Sequence, residues 1–298
     1  MSTSDVLART PPPIEQAELQ QNSTPDRWRP VAWVAAPLLI VLVIAVYPLI
    51  RVLTESAAGT GQSTWRAVLG SEIFLRALAT TAEIAVCSTV GCLVLGTFLA
   101  IVLAFVPFPG SGLVARLIDT VLALPSFLIT LAFTFLYGSA GAVNAAIFEV
   151  TGHRPLNFLA TPAGVIAAEI TFFTPFVVRP LLASFTVMSR DQLDVAASLG
   201  ASPWRVLRTV VLPEAVPSLM AGGSLVLLLT LNEFGIVLFT GAKDVVTLPM
   251  LVYTRGIVSF DLPGAAVIAT VQVLLSLTLY GGYRLVFARM TTSRPGGR

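Results

Sequence analysis

Between Val31 and Tyr283 this chain repeats one pattern: apolar stretches, uncharged or nearly so, separated by short turns containing Gly and Pro. A helix rises about 1.5 Å per residue, so crossing roughly 30 Å of hydrocarbon takes about 20 apolar residues. Val31–Ile50 meets that length without a charge, and Ile84–Ala115 is long enough for one tilted span plus a turn. Thr120–Phe148, Ala215–Asn232 and Leu262–Tyr283 follow on the same terms. A sixth stretch, Pro162–Phe185, is interrupted by Glu169 and Arg179. Only 11% of residues are charged, where soluble domains carry about 25%, which leaves too little polar side chain to coat a water-facing globule. The runs do not alternate as barrel strands must. The expected fold is therefore all-α: a polytopic membrane protein with six transmembrane helices.

Basic residues set the expected orientation. With the N-terminus inside, the cytoplasmic segments hold Arg9, Arg27, Arg29, Arg116, Arg190, Arg205, Arg208, Arg284, Arg289, Arg294 and Arg298. The opposite side holds Arg51, Arg66, Arg76, Arg154, Lys243 and Arg255. The bias places both termini in the cytoplasm. The net charge of +2 is a topology signal and does not point to nucleic acid. Residues 1–30, with Pro11, Pro12 and Pro13 among polar residues, read as a disordered cytoplasmic tail. Residues 31–290 form the transmembrane domain, and 291–298 a cytoplasmic C-terminal tail. The first span lacks a small-residue cleavage site and reads as an anchor, not a signal peptide. Cys87 and Cys92 fall in a span and read as small apolar fillers; His153 reads as a surface residue. No cofactor or metal site is expected.

The segment 190–213 is charged and helix-like, between two apolar runs. Asp191–Leu199 reads as a short helix, with acidic residues suited to its positive end. Gly200 permits the left-handed turn that ends it. Ser202 is a candidate cap and Pro203 suits a first helical turn. The second helix, Pro203–Leu212, carries Trp204 and is expected to stop before Pro213. An amphipathic hairpin lying on lipid headgroups is one reading. A docking element for a soluble subunit explains Asp191 and Asp194 better, because acidic residues gain nothing from an anionic leaflet.

This segment resembles the EAA signature of permease subunits in bacterial binding-protein-dependent ABC importers, which have a MetI-like transmembrane domain. Asp194-Val195-Ala196 stands where that signature has EAA, Gly200 follows, and Leu212-Pro213 stands for its distal LP. Asp keeps the charge of Glu with a shorter reach; Val adds bulk where packing is close. The likeness covers roughly Phe74 to Phe287. It implies a coupling helix that inserts into an ATP-binding cassette ATPase dimer, with Asp194, Ala196, Gly200, Ala201, Trp204 and Pro213 at or near the contact. It also implies a second permease subunit, identical or paralogous, and a periplasmic solute-binding protein. Spans of one subunit enclose no wide pathway alone. No Walker-type loop occurs, and Lys243, the only lysine, matches none. ATP hydrolysis is expected to reside in a separate subunit.

Glu83, Glu169, Arg179 and the pair Asn232-Glu233 stand in or beside apolar runs. Ionisable groups at such depth usually face a cavity or each other. Glu169, Arg179, Asn232 and Glu233 are the candidates for the translocation pathway, against the alternative of ion pairs that only fix packing. Arg179 could meet an anionic solute or be neutralised by Glu169 or Glu233. Thr171, Thr174 and Pro175 share its span; Pro175 frees a carbonyl that could face a cavity. The runs LNFLATPAGVIAAEITFFTPFVVRP and LTLNEFGIVLFTGAKDVVTLP look similar to permeases of 2-aminoethylphosphonate importers; those for ferric iron, sulfate or thiosulfate, and polyamines share the plan. From another class, an ion-coupled carrier would use Glu83, Glu169 and Glu233 as relay groups, but no internal repeat supports it. A scaffold or channel subunit leaves the hairpin without a role.

Overall fold

The computed structural model describes residues 28–58, 62–153, 158–242 and 245–292. The expected N-terminal tail up to residue 27, Arg154, Lys243 and the last six residues of the expected C-terminal tail lie outside them. The chain divides into two units, 1–51 and 52–298. The helices in order are α1 (Trp28–Ala58), α2 (Gln62–Leu69), α3 (Glu72–Phe105), α4 (Ser111–Ala123), α5 (Ser126–Tyr137) and α6 (Ala142–Thr151). A short 3₁₀ turn, Phe158–Ala160, leads to α7 (Pro162–Val187), α8 (Arg190–Ser198) and α9 (Pro203–Val206). A π-turn, Leu207–Val211, joins α9 to α10 (Leu212–Leu231), and α11 (Gly235–Thr240) and α12 (Leu248–Tyr253) follow. A second π-turn, Thr254–Val258, precedes α13 (Leu262–Thr292).

Among the described residues every regular element is helical, and 6 stretches are long and apolar enough to cross a membrane. Several boundaries differ from expectation, for local reasons. The second span starts at Glu72, not Ile84, because Arg76 pairs with Glu72 one turn earlier at 2.8 Å and the helix carries both charges. It ends at Phe105, and Gly110 in the left-handed region turns the chain into α4. The run Thr120–Phe148 is not one helix: it starts inside α4 and breaks again between Tyr137 and Ala142. Asn144 donates its side-chain amide to the Gly138 carbonyl across that second break at 2.9 Å. Thr161 caps α7, accepting the Gly164 N–H at 3.4 Å, and Pro162 fills the first turn. Pro175 and Pro180 do not end α7.

The interior of the larger unit is built by α3, α7 and α10 packing on one another. Small residues let these backbones approach, as interfaces between membrane helices require. A Cβ placed on Gly96 would stand 2.8 Å from Cβ of Val177, and one on Gly222 would stand 3.1 Å from the Phe176 carbonyl oxygen. Cys92, buried, faces the Ile170 carbonyl at 3.7 Å, consistent with a small filler. A second cluster joins α2, α3, α12 and α13 through Val68, Phe74, Leu248, Leu251, Val267 and Ile268. There Thr81 on α3 accepts the Leu248 N–H at 2.8 Å, satisfying an orphan donor in the first turn of α12.

Candidate functional site

The segment 190–213 folds as a hairpin, and its turn is specified residue by residue. Leu199 closes α8, and Gly200 takes φ +79. The Gly200 N–H donates to the Ala197 carbonyl at 2.9 Å and the Ala201 N–H to the Ala196 carbonyl at 3.1 Å. That pair of bonds is the Schellman closure, which satisfies carbonyls the helix end would orphan. Ser202 then caps α9, accepting the Arg205 N–H at 3.4 Å, with Pro203 in the first turn. Both expected helices are present.

One expectation fails: the second helix does not stop at Pro213. The π-turn Leu207–Val211 intervenes, with the Leu212 N–H reaching back five residues to the Leu207 carbonyl. The wider turn shifts bonding register just where Pro213 supplies no donor, so the chain continues into α10. The hairpin is thus continuous with a membrane span of 29 residues, Pro203–Leu231.

Leu193, Val206 and Leu207 pack on the interior, while the outer side stays bare. Trp204 is 68% exposed, and Val195 and Leu199 are exposed as well. An apolar groove of about 530 Å³ runs between the end of α3, at Phe105 and Val106, and hairpin residues including Leu193, Ala197, Ala201 and Trp204. Ala196 and Pro213 are half-buried, and Asp194 is exposed beside the groove.

The intramembrane candidates separate. Glu169 is 1% exposed on α7, and its Oε2 has no hydrogen-bond partner among the described residues. Ser88 and Thr89 are buried on α3 as well. Glu233 accepts the Ile236 N–H at 2.8 Å and the Ser126 hydroxyl at 3.3 Å, so it caps α11 and ties it to α5. Asn232 is exposed and donates to the Leu228 carbonyl at 2.8 Å. Thr171 and Thr174 bond back into α7, at 2.8 Å to Ala167 and 2.6 Å to Ile170. Glu83 is exposed on α3.

Arg179 pairs with neither Glu169 nor Glu233. It forms an ion pair with Asp119 on α4. Asp119 was not among the expected candidates, since it stands between two of the apolar runs; its signal was Leu117, Ile118, Val121 and Leu122 around it. Gln272 was missed as well. Buried on α13, it donates to the Leu231 carbonyl at 2.5 Å and ties the end of α10 to the last span. A lone amide in an uncharged run was the available clue.

Residues 93–292 match the family described as binding-protein-dependent transport system inner membrane component. A protein of Salmonella paratyphi A, provisionally named 2-aminoethylphosphonate transport system permease protein PhnU, is 48% identical over 267 residues, covering 88% of this chain and 92% of its own. The sulfate transport system permease protein CysT of Escherichia coli is 29% identical, covering 81% of this chain and 86% of its own. Among solved structures, a chain of a bacterial alginate ABC transporter in complex with its periplasmic protein superposes with TM-score 0.78 at 19% identity, over 89% of this chain and 96% of that one. A chain of the inward-facing MetNI methionine ABC transporter gives 0.53 at 19% identity, over 75% and 98%. At those identities the structures speak for the fold alone.

Proposed function

This chain belongs to the family of binding-protein-dependent transport system inner membrane components, and from that premise we propose that it imports 2-aminoethylphosphonate. It is a multi-pass inner-membrane protein, the non-catalytic permease subunit of an ABC importer. The solute is our reading. The observation that carries it is 48% identity across 88% of the chain to a relative named for that compound. Relatives named for sulfate stand much further off, at 28–30%.

In this reading an ATPase dimer grips the α8–α9 hairpin, a second permease subunit completes the pathway, and a periplasmic solute-binding protein delivers the solute. Asp194, Ala196, Gly200, Ala201 and Trp204 form or shape the ATPase contact, and Pro213 carries its movement into α10. The exposed side of the hairpin, which carries Asp191, Asp194, Trp204, Arg205 and Arg208, supports this. Trp204 is the type of side chain that anchors protein contacts. Both termini then lie in the cytoplasm, with the transmembrane domain over 31–290. On the pathway wall we place Asn232, which is exposed; Glu233 holds the adjoining loop, and Glu169 sits behind it.

Uptake of labelled 2-aminoethylphosphonate into proteoliposomes holding the permease, its ATPase and its binding protein tests the assignment. ATP-dependent uptake that excess unlabelled sulfate, ferric iron or polyamine does not reduce is the expected result. Competition by sulfate would move the solute to the sulfate class. Uptake driven by a proton gradient without the ATPase would favour an ion-coupled carrier instead.

A further inference from the structure

We propose that Arg179 and Asp119 are positioning residues for energy coupling. The Arg179 guanidinium exchanges between Asp119 on α4 and Asp194 on the hairpin, so that hairpin movement reaches α7 as a change of ion-pair partner. This rests on the permease reading and adds to it a route from the hairpin into the bundle.

The geometry puts one cation and one carboxylate on the wall of a single cavity, while a second carboxylate, Asp119, already holds that cation. Arg179 and Asp194 both line a cavity of about 700 Å³, together with Leu182, Phe185 and Thr186 of α7 and Leu193 of α8. Arg179, Leu182 and Thr186 recur at helical spacing, so they share the face of α7 turned to that cavity. Arg179 is the one Lys or Arg within the span Pro162–Val187. In the structure its partner is Asp119, and the two side chains are each 42% exposed. Asp194 makes no ion pair among the described side chains.

Water access decides between a fixed bridge and an exchangeable one. A fully buried pair is held in place by the cost of leaving either charge alone. A pair this open within its own subunit is held less tightly than a buried one, so a second carboxylate entering the cavity competes for the arginine. A guanidinium has donors to spare for a second carboxylate, so the reach of its side chain, and not a lack of N–H groups, decides which carboxylate it holds best. Two discrete arrangements of one arginine are the kind of bistable element that passes a small displacement onward. Asp at position 194 suits this, because hairpin displacement, not side-chain length, then sets its distance to Arg179.

The test uses the assembled importer in proteoliposomes and reads ATP hydrolysed per solute taken up. Asp119→Asn and Asp194→Asn should each raise that ratio by about two- to fivefold, the scale of a partly exposed pair. With the ATPase held at saturation, so that the share of Asp194 in that contact is removed, neither change should add a further effect in an Arg179→Gln background. The reciprocal exchange, Asp119→Arg with Arg179→Asp, separates coupling from packing. It restores the α4–α7 pair but sets a carboxylate against Asp194, so complex assembly should return while the ratio stays high. Full recovery of the ratio by the exchange would overturn the proposal. So would independent, multiplicative effects of the two Asn substitutions in the Arg179→Gln background. Failure of the permease reading would show separately, as absence of ATP-driven uptake in the parent protein.

Discussion

The interior where α3, α7 and α10 meet and the hairpin α8–α9 are built on opposite terms. In the first, Gly96 and Gly222 let backbones close to contact with α7, and Val177, Val178 and Leu181 are fully buried. In the second, few side chains are covered and the largest, Trp204, stands out from the surface. The first is stable through its own packing. The second is held by local devices, a Schellman turn and a serine cap, which fix its shape without burying its outer face. A part that must be gripped cannot spend its apolar surface on its own fold, and a part that must transmit movement cannot deform. The π-turn Leu207–Val211 joins them. A wider turn of this kind marks a site where helical register can shift.

If that contrast is right, substitutions in the two regions should damage different properties. The largest effect is expected at Gly96. A bare Cβ there would lie 2.8 and 2.9 Å from Cβ and Cγ1 of Val177 and 3.4 Å from the Thr174 carbonyl oxygen. Gly96→Leu should therefore destabilise the subunit by about 3 kcal/mol or more, beyond the usual cost of overpacking. Gly112→Leu, where nothing lies within 4 Å of the added Cβ, is the control. Thermal unfolding in detergent reads both, and equal stability of the two variants would dissolve the idea of a tight interior. Next in size is Trp204→Ala. Unfolding should shift by no more than about 0.5 kcal/mol, as for an exposed residue. Affinity for the ATPase should fall by about 2 kcal/mol, roughly thirtyfold, as for a central aromatic anchor. A stability loss with unchanged affinity would make Trp204 part of the fold and not of the contact.

Sequence carried the architecture because membrane spans are a matter of length and charge, and both are printed in the chain. It carried the hairpin turn because Gly200, Ser202 and Pro203 each have one strong local preference. It did not carry the end of the second helix. Pro213 signals a break, and only the π-turn, a backbone adjustment without a composition of its own, lets the helix run on. The ion pair of Arg179 was hidden for a different reason. Asp119 is 60 residues away along the chain, and nothing in α7 says which carboxylate will face it. Glu233 was legible as an acid at the edge of an apolar run but not as a cap, because capping depends on where α11 begins, and Gly235 gives only a weak start signal. The first span was shifted for a related reason: Arg51 and Glu55 look like boundary markers, yet α1 runs on to Ala58, since long charged side chains can reach toward the interface.

The turn itself gives the third effect. Gly200 sits at φ +79 with no atom within 4 Å of a placed Cβ, so any penalty at this position is conformational and not steric. Gly200→Ala should cost the hairpin about 1 kcal/mol, the price of a left-handed residue with a Cβ. The spans should unfold as before, and ATPase affinity should drop about fivefold. Unfolding of the whole subunit in that variant would mean the hairpin is not separable from the interior.

The smallest effect belongs to the cap. Ser202 accepts the Arg205 N–H at 3.4 Å, near the outer limit for such a bond. The cost of Ser202→Ala should therefore fall at the low end for caps, about 0.5 kcal/mol, or roughly a twofold loss of ATPase affinity. Ser202→Asp keeps an acceptor and adds a negative charge at the positive end of α9, so it should match or exceed the parent. Ser202→Asn keeps an acceptor without the charge, and none of these variants touches Trp204. A difference between Ser202→Ala and Ser202→Asn in ATPase titrations would show that hairpin shape, and not only its exposed side chains, sets the contact. Identical affinities would place the whole of that contact in the side chains.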